Sequence, residues 1–169
     1  MRKRGPKTGF ADDVRETFDG GLPEGGLEAW YEEHLADNFK ATFAGGKIVL
    51  DKAQYLAVTK DILASFPDFV YTREGPLAYA NSPRIVEWTA VVKGTHTGAP
   101  YSPLPGVPPV SAKGAKCQND PEKIIVNFAS GLTKIESIEV QAIPGGKGFS
   151  GPVGFYLQAG GDPTKLPAP

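Results

Sequence analysis

The sequence predicts an α+β domain, with a strongly bent antiparallel sheet packed against N-terminal helices. Three observations predict it. Two apolar helical stripes come early: Leu27, Trp30, Tyr31, His34 and Leu35, then Tyr55, Leu56, Thr59, Ile62, Leu63 and Phe66. Strand-like segments dominate afterwards, up to residue 143. Among them Val86, Trp88, Ala90, Val92, Gly94 and His96 recur two residues apart, as one face of a long strand requires. Helices followed by strands, rather than alternating with them, argue against a parallel doubly wound sheet.

The elements follow in order. The first helix covers about 27–36. Asn38 to Phe43 alternates as a short strand, and Gly45-Gly46 turns the chain. Asp51 caps a second helix at about 52–66, which Phe66-Pro67 ends, because proline lacks an N–H and restricts its predecessor. A strand at 69–79 turns at Asn81-Ser82-Pro83 into the long strand 84–97, where Gly94 marks the bend or bulge that curvature needs. Further strands are expected at 110–118, 123–130 and 134–143.

Composition divides the 169 residues into three regions. Residues 1–26 form an N-terminal arm, basic at its start, in which Phe10, Val14 and Phe18 recur at helical spacing. Residues 27–143 form the domain. Residues 144–169 hold seven glycines and five prolines and read as an extension. In both ends the apolar anchors Phe10, Val14, Phe18, Phe155 and Tyr156 suggest docking on a partner or on a second copy of the chain.

A net charge of −1 offers no field for nucleic acid. No apolar run is long enough to span a bilayer, and none reads as a signal peptide. The single cysteine, Cys117, cannot close an internal disulfide. The expected setting is intracellular and soluble, either cytoplasmic or organellar with a basic processing remnant.

Gly146 to Gly151 matches G-x-G-x-x-G, but Pro152 and Gly154 follow and no βαβ unit surrounds it, so it is read as loop. No metal site is expected, because His34, His96 and Cys117 lack ligand spacing, and no cofactor is called for. His34 and His96, the only two histidines, both fall on inward faces. An inward pair either transfers protons or consists of hydrogen-bonded core residues.

The pieces Phe66-Pro67-Asp68-Phe69, Trp88-Thr89-Ala90, Gly94-Thr95-His96-Thr97-Gly98 and Leu104-Pro105-Gly106-Val107-Pro108-Pro109, in that order, resemble the SnoaL-like branch of the NTF2-like superfamily. The resemblance covers about residues 27–143. It implies a cone-shaped α+β fold enclosing a pocket. Trp30, Tyr31, Tyr55, Phe66, Trp88, Val92 and Phe128, core residues first, would wall that pocket. It implies acid/base isomerase or cyclase-type chemistry on a small hydrophobic ligand, and a homodimer. The family's cyclases place an aspartate in a Gly-x-Asp pattern after the proline-rich loop. Here the pattern reads Gly114-Ala115-Lys116, so Lys116 stands in the carboxylate's place and joins His96 and His34 as a candidate. The polyketide ring closure itself is expected to be absent. The alternative is a non-catalytic NTF2-like subunit that docks on a larger assembly through its two arms.

Overall fold

A computed structural model describes residues 26–79, 84–104, 106–129 and 133–166. Helix α1, Leu27–His34, runs straight into strand β1, Leu35–Phe43, because Leu35 already has extended backbone angles. Strand β2, Ile48–Asp51, leads into helix α2, Lys52–Ser65. Asp51 caps α2 as its sequence position suggests. Its side chain accepts from Gln54 N at 2.8 Å, and the Gln54 side chain accepts from Asp51 N at 2.9 Å. Strands β3, Val70–Tyr79, and β4, Ile85–Thr95, form the longest antiparallel pair. Then come β5, Lys116–Gln118, β6, Glu122–Phe128, β7, Ile135–Ala142, and helix α3, Gly151–Gln158.

Among the described residues the strands form one sheet in the order β2-β1-β7-β6-β4-β3, with β5 added to β4. The α+β class is as expected, but the sheet is mixed. β1 and β7 pair in parallel, with Ala41 opposite Ile138. Side-chain alternation says which face a strand buries, not which way its neighbour runs. The expected strand 110–118 shrinks to three residues. Val110 makes only a bridge to Tyr101, residues 111–114 are exposed, and Gly114 turns with φ +74°.

The face of β4 that carries Val86, Trp88, Ala90, Val92 and Gly94, extended by His96, is buried throughout. Gly94 has a different role from the one its sequence suggests. The pairing across it is regular, and a Cβ there would sit 3.1 Å from Phe66 Cβ and 3.4 Å from the Phe155 ring. It permits close packing rather than a bulge. The irregularities fall elsewhere, between Glu74 and Ala78 on β3 for example.

Among the described residues the core divides into two clusters. One joins α1, α2 and the sheet centre through Tyr31, Phe39, Tyr55, Trp88 and Phe128. The other gathers Phe66, Phe69, Val92, Tyr101 and Val107 around Phe155 and Tyr156. The C-terminal extension is thus corrected. Phe155 and Tyr156, expected to anchor a partner, are buried in the chain's own core, and Tyr156 donates to Pro108 O at 3.1 Å. The other docking candidates, Phe10, Val14 and Phe18, lie outside the described residues.

Candidate functional site

Between α2 and the concave face of the sheet lies a cavity of about 60 Å³. Tyr55, Val58, Thr59 and Ile62 of α2 form one wall, and Phe69, Tyr71, Val92 and Ile124 form the opposite one. Gly151 and Pro152, the first residues of α3, close one end. The lining is apolar except for a few groups, of which Glu122 is the most consequential.

Glu122 opens β6. Alternation with Ile124, Val126 and Phe128 turns it inward, and only 3% of its surface is exposed. Its Oε2 accepts from Ser150 Oγ and from Gly151 N at 2.8 Å. Burial raises the carboxyl's pKa above the usual glutamate range, against the opposing pull of the hydrogen bonds from Ser150, Gly151 and Asn119. Two members of a tyrosine cluster, Tyr55 and Tyr71, line the same space. Tyr55 OH donates to Tyr31 OH at 3.3 Å, and Tyr71 shares the cluster. Burial pushes all three hydroxyls up, so they remain protonated donors at neutral pH. An apolar cavity with one poised carboxyl and a set of hydroxyl donors can exchange a proton with a bound molecule and hydrogen-bond the oxygen where charge develops.

Of the residues expected to wall a pocket, Tyr55 and Val92 line this one. Tyr31, Phe66, Trp88 and Phe128 are buried in the two core clusters around it, and Trp30 packs half-buried on the first cluster. The three catalytic candidates are not brought together there, for the described lining residues include none of His34, His96 and Lys116. His96 is fully buried. Its Nε2 pairs with Ala99 O at 2.8 Å, its ring stacks on Phe66 with centroids 4.9 Å apart, and its Nδ1 has no hydrogen-bond partner among the described residues. His34 is half-buried, with Nδ1 2.9 Å from Trp30 O and its ring tilted over the Trp30 indole at 4.5 Å. Lys116 is exposed on β5 opposite Thr95, in a surface depression shared with Asp68 and Lys93. One register position decides this, since its neighbour Cys117 is the inward residue.

Sequence reasoning passed over Glu122, although the signal was present: a carboxyl in phase with Ile124, Val126 and Phe128. Asp120, in the proline-containing turn before β6, accepts at Oδ2 from Gly148 N at 2.8 Å and Phe149 N at 3.1 Å and so ties down the approach to α3. Among the described residues no group of three His, Cys, Asp or Glu side chains is placed to hold a metal ion, and no helix is long and apolar enough to cross a membrane.

No protein-family model matches the chain, and no curated protein sequence does. Solved structures do. A protein from Jannaschia sp. CCS1, assigned as a SnoaL-like polyketide cyclase, superposes with a TM-score of 0.57 at 19% identity, covering 83% of this chain and 90% of that one. An NTF2-like protein of unknown function from Exiguobacterium sp. 255-15 gives 0.55 at 12% identity, over 79% of this chain and 98% of the other. A protein from Pseudomonas putida KT2440, assigned as a polyketide cyclase, gives 0.55 at 13% identity, over 79% and 92%. The chain therefore has the NTF2-like α+β cone. Within that fold it is similar to the SnoaL-like structures, as its Phe-Pro-Asp-Phe and Gly-Thr-His-Thr-Gly segments suggest.

Proposed function

We propose that the protein binds a small hydrophobic molecule in the α2–sheet cavity and moves a proton on it, with Glu122 as the acid/base group. The observation that carries this reading is a nearly fully buried carboxyl, raised in pKa, on the wall of an apolar cavity. On a ligand with an enolisable carbonyl, the Glu122 carboxylate takes a proton from the carbon beside the carbonyl. The hydroxyl of Tyr55 or Tyr71, both on the cavity lining, hydrogen-bonds the oxygen as it becomes negative. Glu122 then returns the proton to the same or another carbon, completing exchange or isomerisation. The small cavity volume speaks against a multi-ring polyketide lying wholly inside. Lys116, exposed on β5, is not assigned the family aspartate's role.

The test is proton exchange into small enolisable ketones in heavy water, followed by NMR. Exchange above buffer is expected from the native chain and from Lys116→Ala. Glu122→Gln should reduce it to background, a loss of about 10²–10⁴-fold. Undiminished exchange in Glu122→Gln would rule out the carboxyl's role.

A further inference from the structure

The inner cavity and a larger surface groove meet at one side chain. The groove, of about 370 Å³, runs between the outer flank of α2 and the proline-rich loop, over Leu50, Gln54, Val58, Asp61, Leu104 and Val107. Val58 also lines the inner cavity. Helical geometry explains the double role. At 3.6 residues per turn, Tyr55, Thr59 and Ile62 face inward while Gln54, Ala57 and Asp61 face the groove. Val58 falls between the two stripes, half-buried. Leu50 and Val107, both buried, lie beside it in the groove's lining. At the cavity's other end, by contrast, Gly151 donates to Glu122 and accepts from Asn119, and Pro152 O accepts from Tyr101 OH at 3.4 Å.

We infer that Val58 is the gate to the inner cavity, and that the ligand is a neutral, elongated amphiphile with a narrow hydrogen-bonding head. This rests on the small-molecule reading of the cavity and adds the ligand's shape to it. The head belongs inside, where Glu122 and the tyrosine hydroxyls supply the polar partners. The inner volume holds roughly four to six water-sized positions, so a longer molecule must extend past Val58. Its tail then lies over Leu50, Val58, Leu104 and Val107. Two carboxyls exclude an anion at either end: Glu122 inside, and Asp61, exposed, in the groove.

The test is calorimetric titration of the full chain with n-alkanols from propanol to decanol. In the native protein, affinity is expected to rise by about fourfold for each added methylene, well past the length that fills the inner cavity. Val58→Phe should stop that rise at the shortest chains, and Val58→Ala should admit branched alkanols about tenfold more tightly than the native chain does. The same dependence on chain length in the native protein and both variants, with unchanged circular dichroism, would overturn the gate. If Glu122→Gln weakens short alkanols while both Val58 variants are silent, the cavity reading stands and the gate falls. If no alkanol binds the native chain, both fall.

Discussion

The two ends of the cavity are closed by different physics. At the C-terminal end the closure is polar and dense. Asp120 accepts two backbone N–H groups, Glu122 accepts from Ser150 and Gly151, and Asn119 donates to Gly151 O at 3.0 Å. Gln158 completes the tie, donating to Asn119 Oδ1 at 3.1 Å and accepting from Gln118 N at 2.9 Å. At the other end, the proline-rich loop is anchored to α2 where Gly98 N and Ala99 N donate to Ser65 O and Ala64 O, both at 3.0 Å. Beyond that anchor its groove with α2 is mostly apolar side chains. Hydrogen bonds to a buried charge are worth about 1.5–3 kcal/mol each, whereas a side chain turned off its rotamer costs about 0.5–1.5 kcal/mol. One end is fixed and the other can yield, which is why a way in is assigned to Val58 and not to α3.

The sharpest way to break this contrast is to empty the fixed end. Phe155 meets Phe66 with ring centroids 4.9 Å apart and Phe69 at 5.7 Å, and is fully buried. Phe155→Ala is expected to cost about 3–5 kcal/mol of unfolding free energy in urea. A loss below 1 kcal/mol would mean that α3 is not part of the cooperative core. Next comes the loop's anchor. A Cβ on Gly98 would lie 1.9 Å from Ala64 O, so Gly98→Ala must shift the backbone. A loss of about 1–3 kcal/mol is expected, with the groove reshaped while Glu122 and its partners stay in place. A thermal scan and ketone exchange would separate the two effects.

The smallest effect is a dependence on pH. Backbone hydrogen bonds from Lys147, Gly148 and Phe149 hold the Asp120 carboxyl below its ordinary pKa. Its contribution is therefore complete above about pH 4, the unfolded value, and fades as the pH falls through the lower folded value. Protection of the Gly148 and Phe149 amides from hydrogen exchange should decline on acidification. Asp120→Asn should lower that protection at neutral pH and flatten its response to acid.

Much of this architecture was legible because it follows local periods. The stripes of α1 and α2, the Asp51 cap and the inward face of β4 need only spacing and one capping residue to be read. The C-terminal helix was not legible, because its opening residues look like breakers. Gly151, at φ +61°, and Pro152 instead begin the helix, where a missing N–H costs nothing. The candidate site was half legible. Tyr55 and Val92 follow from period alone, while Glu122 needed the phase of β6 to be trusted over a search for Gly-x-Asp. Lys116 and Cys117 differ by a single step of register, which sequence does not fix in so short a strand.

The parallel pairing of β1 with β7 governs when the molecule can be completed. Ala41 waits for Ile138, so the sheet joins the first described strand directly to the last. Such a long-range closure carries a large loop entropy and slows folding. On the ribosome, β1 emerges before β7, with one side occupied by β2 and the other bare until residues 135–142 have been made. A nascent chain stalled before residue 135 presents that bare edge as a template for another strand. Aggregation of this protein should therefore track interrupted synthesis more closely than it tracks the stability of the finished fold.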